Sequence, residues 1–202
     1  MRNHLAAAEM GGGAQAIPRL AGLVERMEGI TRQLKFFSNP GEDALKPVDL
    51  GHAMREALKL VAPNVEKHDV NLVEEIDDTS AIIQGNALRI EQVMVNILRN
   101  AIDAMDDAGG RDLTVRVGTS GGMGWFEVAD RGHGLGQASL SDLQEPFVTS
   151  RESGQGMGLG LAISAGIVKE HHGTMTARNR TGGGATFRVE IPLADTAEED
   201  AG

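Results

Sequence analysis

Three glycines at alternate positions make one stretch of this sequence a candidate anion site. Gly156, Gly158 and Gly160 stand directly before a predicted helix. Exposed N–H groups and the positive end of a helix dipole favour a phosphate at such a start. A flexible surface loop fits the same residues, so this stretch alone leaves both interpretations open. The sequence contains no G-x-x-x-x-G-K-[ST], and Leu159 stands where a dinucleotide fingerprint needs glycine.

A second candidate lies on the long helix predicted from Asn86 to Asp107. Asn96, Asn100 and Asp103 follow one another at i, i+4 and i+7, so they share one face of that helix. Amide oxygens are hard ligands that suit Mg²⁺, which usually keeps several waters and takes phosphate oxygens. Structural amides that bond to neighbouring backbone are the alternative.

A third candidate is the carboxylate of Asp130, which follows a predicted strand and precedes a turn containing Gly132 and Gly134. A carboxylate at a strand end can accept a hydrogen bond from an exocyclic amine such as that of adenine. An aspartate that only shapes a turn is the common alternative. Downstream, residues 145–160 supply hydroxyls, an arginine and a glycine-rich cover that suit a triphosphate.

Composition limits the class of protein and its partners. The chain has 202 residues, of which 41% are hydrophobic, 3% are aromatic and none is tyrosine or cysteine. The formal charge of −10 disfavours nucleic acid or an anionic membrane as a partner, because both need a basic face. No run of about 18 apolar residues occurs. The sequence therefore predicts a cytoplasmic protein that binds no nucleic acid.

The sequence divides into four segments. Residues 1–38 predict a helical hairpin that "GGG" divides into unequal arms, whose apolar residues have the three- and four-residue spacing of packed helices. The longer arm extends roughly 15 Å beyond the shorter one, and its apolar stripe continues over that length. We therefore expect either that a second chain covers this part of the stripe or that the first helix begins outside this chain. Residues 39–47 predict a linker, residues 48–194 a compact domain, and residues 195–202 a disordered tail.

The elements predicted for the compact domain are helices interleaved with hairpin-connected strands. The first helix runs from Leu50 to Ala62, with Asp49 as N-cap and Pro63 just past its end. The pattern predicts an α+β fold, with helices on one face of a mostly antiparallel sheet. The other predicted elements are strands Asn71 to Ile76, Ala81 to Gln84, Leu113 to Ser120 and Trp125 to Asp130, the long helix, the helix Leu159 to Glu170, and two final strands.

Taken in order, these motifs resemble the sequence boxes of sensor histidine kinases. The ordered series is Asn96-x-x-x-Asn100-Ala101, Asp130-x-Gly132-x-Gly134, Glu145-Pro146-Phe147, Gly156-x-Gly158-x-Gly160-Leu161 and Gly184-Ala185-Thr186-Phe187. The resemblance covers about residues 48–193. The segment Ile30 to Phe37 also resembles the second dimerisation helix of the C4-dicarboxylate-transport sensor subfamily.

The resemblance implies a two-layer α/β sandwich of the type shared with the heat-shock chaperone, MutL and gyrase B. It also implies ATP and Mg²⁺ as cofactors, with Asn100 as the metal ligand and Asp130 bound to the adenine amine. Asn96, Asn100 and Arg151 are the implied catalytic residues. The implied ATP-binding residues are Asn96, Asn100, Asp103, Asp130, Gly132, Gly134, Leu135, Phe147, Thr149, Ser150, Gly156, Gly158, Leu159, Gly160 and Thr186.

Asn96 favours phosphoryl transfer over hydrolysis. Hydrolytic members of the superfamily carry a glutamate at this position, and an amide is not a general base. The family's phosphoacceptor is a histidine followed by an acidic residue, whereas His4 is followed by Leu5, so we expect the acceptor to be absent from this chain. The implied partners are a response regulator receiver domain and a second copy of this chain, bound as a homodimer through the N-terminal helices. Contact with a membrane is implied only through parts of the protein outside this chain. An ATP hydrolase and a nucleotide-gated interaction module remain alternatives.

Overall fold

The computed structural model describes residues 45–76, 81–106, 108–137 and 160–194. The predicted hairpin and tail lie outside these ranges and stay predictions. The described elements are β1 (Lys46–Asp49), α1 (Leu50–Lys67), β2 (Asn71–Ile76), β3 (Ile82–Gly85), α2 (Ala87–Met105), β4 (Asp112–Ser120), β5 (Met123–Ala129), α3 (Gly160–Glu170), β6 (Thr174–Asn179) and β7 (Ala185–Pro192).

The main sheet has five strands in the order β2-β4-β5-β7-β6. Strands β4, β5, β7 and β6 pair antiparallel, and only β2 runs parallel to its neighbour β4. The chain leaves β2 and returns to β4 after β3 and α2, which is the long connection that a parallel pair requires. The prediction of a mostly antiparallel sheet is confirmed.

One face of the sheet and one stripe of each helix form an aliphatic core. Alternate residues of β4 and β5, including Val115, Val117, Phe126 and Val128, are buried, as expected for strands with one face against helices. Helix α2 packs against both α1 and α3, and its apolar stripe is completely buried. That stripe consists of Ile90, Val93, Met94, Ile97, Leu98, Ala101, Ile102 and Met105. The two-layer sandwich and the α+β class are therefore confirmed.

Helix α1 begins where the sequence predicts and ends later. The Asp49 side chain accepts a hydrogen bond from the backbone N–H of His52 at 3.0 Å, which satisfies one of the free donors of the first turn. The prediction that the helix ends at Ala62 is wrong, because α1 continues through Pro63 to Lys67. Pro63 is exposed, and the turn beyond it is held by the contact between His68 and Asp106 at the C-terminal ends of α1 and α2. Tertiary contacts therefore outweigh the local cost of the proline.

A small second sheet lies at the start of this part of the chain. Strand β1 pairs antiparallel with β3, and Lys46 lies opposite Gly85. The sequence predicts residues 39–47 as linker, but Lys46 and Pro47 belong to β1. The signal is weak because β1 has only four residues and begins beside a proline. Each strand of this sheet leads directly into a helix, so the pairing sets where α1 and α2 begin.

Candidate functional site

Asp130 is buried at the end of β5, with a relative exposure of 1%. Its Oδ1 accepts hydrogen bonds from the backbone N–H groups of Gly132, at 2.8 Å, and Ala185, at 3.2 Å. The backbone N–H of Asp130 in turn donates to the carbonyl of Ala185 at 3.0 Å. No described residue donates a hydrogen bond to Oδ2. The carboxylate is thus fixed by one oxygen and can accept a donor with the other.

Burial dominates the electrostatics of this carboxyl. Loss of solvent raises the pKa of Asp130 above its ordinary value, and this effect outweighs the opposing ones. The hydrogen bonds from Gly132 and Ala185 lower the pKa, as do the charges of Arg180 and His133. A buried acceptor with a raised pKa is typical of functional sites, because its ionised form gains from a donor that a ligand brings.

The loop after Asp130 lies directly against α2. An added Cβ at Gly132 would come within 2.4 Å of the carbonyl oxygen of Ala104, so only glycine permits this approach. The backbone N–H of His133 donates to the same carbonyl at 3.2 Å. Ala104 lies one turn beyond Asn100 on α2. The structure therefore brings the Asp130 loop to the helix that carries the predicted metal-binding amides.

Asn179, at the end of β6, holds the next part of this loop. Its Oδ1 accepts from the backbone N–H of Leu135 at 2.7 Å, and its Nδ2 donates to the carbonyl of Gly136 at 3.1 Å. Gly134 has a φ of +73°, which glycine adopts without strain. Gly134 and Leu135, both predicted to wall the base, therefore lie in a loop that one side-chain amide fixes.

The β6–β7 turn closes the site from the other side. Gly184 has a φ of +90°, and an added Cβ there would lie 2.1 Å from the backbone oxygen of Asp130. Arg180 donates to that same oxygen at 2.7 Å. Thr186 is buried and pairs with Ala129, next to Asp130. The structure thus places Thr186 beside Asp130.

Asn96 lies two turns before Ala104 on α2 and contacts α3. Its Nδ2 donates to the carbonyl of Gly160 and to the Oγ of Ser164, both at 3.3 Å. Ser164 is completely buried. Gly160, the last glycine of the predicted phosphate loop, is thereby joined to the predicted metal-binding helix.

Asn100 and Asp103 are half-buried on the same helix between these two groups. Asn96 and Ala104 are eight residues apart, which corresponds to about 12 Å along the helix axis. The predicted site residues therefore form two clusters, one around Asp130 and one around Asn96, with Asn100 and Asp103 between them. Within the described ranges, no three His, Cys, Asp or Glu residues converge closely enough to hold a metal ion.

Some predicted site residues lie outside the described residues. They are Phe147, Thr149, Ser150, Arg151, Gly156, Gly158 and Leu159. Other residues take part in the site without having been singled out from the sequence. These are Ala104, Ser164, Asn179 and Arg180, and each acts through contacts with distant parts of the chain. Only Asn179 had a usable signal, because asparagine before a glycine-rich turn is common.

Comparison with known proteins identifies the family. Residues 85–195 match the family described as histidine kinase-, DNA gyrase B- and HSP90-like ATPase. The chain belongs to this family. The C4-dicarboxylate transport sensor protein DctS of Rhodobacter capsulatus is 35% identical over 181 residues, covering 89% of this chain and 27% of DctS. The sensor protein FixL of Bradyrhizobium diazoefficiens is 33% identical over 181 residues, covering 89% of this chain and 35% of FixL.

Solved histidine kinase structures share the fold. The catalytic domain of histidine kinase ThkA superposes with a TM-score of 0.65 at 26% identity, covering 73% of this chain and 95% of that one. ThkA in complex with the response regulator protein TrrA gives a TM-score of 0.71 at 22% identity, covering 91% of this chain and 52% of that one, and shows the fold alone. The predicted ATP-binding catalytic domain of a sensor histidine kinase is therefore confirmed. No helix among the described residues is long and apolar enough to cross a bilayer.

Proposed function

We propose that this histidine kinase domain binds ATP with Mg²⁺ and transfers the γ-phosphoryl group to a histidine outside this chain, for relay to an aspartate of a response regulator. The chain covers about a third or less of DctS and FixL, so the activity of the whole protein is part of this proposal.

The buried carboxylate of Asp130 is the observation that carries the proposal. Its Oδ1 is occupied by two backbone donors, and no described residue donates to Oδ2. The adenine amine is a donor of the right type for that second oxygen. Gly132, Gly134 and Leu135 lie beside it and would wall the base, with Thr186 next to the carboxylate. A raised pKa fits this assignment, because a donor from the base compensates for the burial of the charge.

The donor set on α2 fits Mg²⁺ held jointly with phosphate oxygens. Asn100 would supply one amide oxygen to the ion, with Asn96 assisting and Asp103 beside them. Mg²⁺ commonly takes only one or two protein ligands together with substrate phosphates and waters. The two turns of α2 between Asn96 and Ala104 allow one extended nucleotide to reach both clusters. When bound, the ion would neutralise charge on the phosphates in a chain whose own net charge is −10.

The amide at Asn96 supports transfer to a protein group rather than to water. An amide cannot take a proton from water, whereas hydrolysis benefits from a general base at this point. In the proposed transfer, a nitrogen of the acceptor imidazole forms a bond to the γ-phosphorus. The bond from that phosphorus to the β–γ bridging oxygen breaks, and ADP leaves. The residues outside the described ranges, Phe147, Thr149, Ser150, Arg151, Gly156, Gly158 and Leu159, would form the cover over the phosphates.

The proposed partners follow from the relatives. ThkA has been captured with a response regulator, and we propose a receiver domain of that class as the partner here. We also propose a homodimer through residues 1–38 and a cytoplasmic location, where ATP is available. The match to DctS supports the C4-dicarboxylate-transport sensor subfamily, although FixL matches at nearly the same identity.

The decisive experiment is phosphorylation in trans. The chain is incubated with radiolabelled ATP, Mg²⁺ and a helical hairpin that contains a histidine acceptor. We expect acid-labile, base-stable label on the supplied hairpin and none on this chain. Asn100→Ala should abolish transfer yet retain metal-free ADP binding. Asn71→Ala, which removes an exposed amide on the edge strand β2, should transfer at the parent's rate.

Other outcomes would contradict the proposal. Release of phosphate at the same rate without the hairpin would identify a hydrolase. Binding of ATP without label on the hairpin would identify a nucleotide-gated interaction module. Failure of the parent to bind any adenine nucleotide would refute the site itself.

A further inference from the structure

The side chain of Asn96 is held by a closed set of hydrogen bonds to the first turn of α3. Its Nδ2 donates to the Gly160 carbonyl and to the Ser164 Oγ, both at 3.3 Å. The Ser164 hydroxyl donates to the Gly160 carbonyl at 2.9 Å. Ser164 has a relative exposure of 0%, whereas Asn96 and Gly160 are half-buried, so the contact is shielded from solvent on the Ser164 side. These three groups therefore act as one unit.

The arrangement determines which way the Asn96 amide faces. The Gly160 carbonyl can only accept hydrogen bonds. The one hydrogen of the Ser164 hydroxyl is already used on that carbonyl, so its oxygen presents a lone pair to Asn96. Both neighbours require an N–H group, and a reversed amide would place two oxygens against each other. The Oδ1 of Asn96 is thereby directed away from α3, and no described residue donates to it.

We propose that Ser164 is a positioning residue, whose hydroxyl fixes the Asn96 amide so that Oδ1 faces the Mg²⁺ and phosphates. This inference rests on the proposed function, in which Asn96 assists Asn100 at the ion. Ser164 is completely buried and acts through its hydrogen bond with Asn96, so it would not itself be a ligand of the nucleotide or the ion. It also ties Gly160, the last glycine of the predicted phosphate loop, to the metal-binding helix α2.

The test is a double-mutant cycle with Ser164→Ala and Asn96→Ala. Affinity for a non-hydrolysable ATP analogue is measured by calorimetry with Mg²⁺ and with a chelator, and the ratio of the two dissociation constants gives the metal enhancement. Loss of one hydrogen bond predicts that Ser164→Ala lowers this enhancement by about two- to twelve-fold. Metal-free affinity should stay within about twofold of the parent, because the Asp130 cluster is unchanged. Ser164→Ala should have no further effect in the Asn96→Ala background.

Two companion variants separate positioning from helix stability. Ser164→Cys keeps a side chain of the same shape, slightly larger, but its thiol is a much weaker acceptor for Asn96 and a much weaker donor to Gly160, so it should lower the metal enhancement as Ser164→Ala does. Gly166→Ala is the matched control on α3, since an added Cβ there meets nothing within 4 Å. It should leave the enhancement at the parent's value. Urea unfolding of each variant shows that the domain is folded.

The outcomes distinguish this inference from the proposed function. An unchanged metal enhancement in Ser164→Ala and Ser164→Cys overturns the inference while ATP binding stands. Equal losses in the parent and Asn96→Ala backgrounds also overturn it, since Ser164 would then act without Asn96. No metal enhancement in the parent would instead refute the Mg²⁺ site of the proposed function.

Discussion

Replacement of Asp130 by asparagine should separate nucleotide binding from folding. The amide keeps an Oδ1 that can accept from Gly132 and Ala185, as the carboxylate does at 2.8 and 3.2 Å. The second oxygen, however, becomes an NH₂ group that meets the adenine amine donor to donor. Loss of a hydrogen bond to a charged group costs about 1.5 to 3 kcal/mol. We therefore expect the dissociation constant for ADP to rise by about 10- to 150-fold.

Calorimetry with ADP in the absence of Mg²⁺ measures this effect without the metal site. Inosine diphosphate is the matched control nucleotide, because it carries an oxygen where adenine carries the amine. The parent should prefer ADP, and Asp130→Asn should reduce that preference. If the variant binds ADP within about twofold of the parent and keeps the same preference, the carboxylate does not contact the base and the site assignment is wrong.

The same substitution should stabilise the nucleotide-free domain at neutral pH. Burial raises the folded-state pKa of Asp130 above the unfolded value, which is about 3.9. Its contribution to stability is therefore fully present below the unfolded pKa and is lost as pH rises through the folded pKa. Asparagine does not titrate. Urea unfolding at several pH values from 4 to 7 should show that the variant becomes more stable relative to the parent as pH rises. A difference in the free energy of unfolding that stays constant with pH would contradict this.

Three further substitutions test the scaffold around the site. Gly132→Ala should push the loop away from Ala104, which should weaken ADP binding at least tenfold and lower the free energy of unfolding by about 1 to 3 kcal/mol. Calorimetry measures the binding and urea unfolding the stability, and values equal to those of the parent would contradict the close contact. Asn179→Ala removes two hydrogen bonds from the loop, so amide exchange at Leu135 should accelerate and ADP affinity should fall; unchanged exchange would show that the amide does not hold the loop. Pro63→Ala should raise the free energy of unfolding by about 2 kcal/mol. Alanine has the higher helix propensity at this exposed position, and this gain outweighs the greater conformational entropy that alanine gives the unfolded chain. A melting temperature below that of the parent would contradict this.

The local patterns in this sequence were sufficient for most elements of the domain. Asp49 acts as the predicted N-cap, and Asn86, where the long helix is predicted to begin, caps α2 in the same way, since each side chain accepts a hydrogen bond from the backbone N–H three residues on. The apolar residues of α2 recur at three- and four-residue spacing, and these are the residues of its buried stripe. These predictions succeed because capping and amphipathic periodicity are set by neighbours within a turn or two. The end of α1 was missed because the contact between His68 and Asp106 joins residues far apart in the sequence.

The candidate site likewise has features that the sequence predicts and features that depend on contacts between distant segments. Residue types and order in the sequence determined the family, the nucleotide class and the candidate contacts of Asp130, Asn96 and Asn100. Only the tertiary structure decided that one oxygen of Asp130 is occupied, that Gly132 touches Ala104, and that Ser164 orients Asn96. The physical reason is that hydrogen-bond direction and close packing depend on pairs of atoms from distant segments of the chain. These atoms come into contact only when α2, α3 and the sheet have packed together.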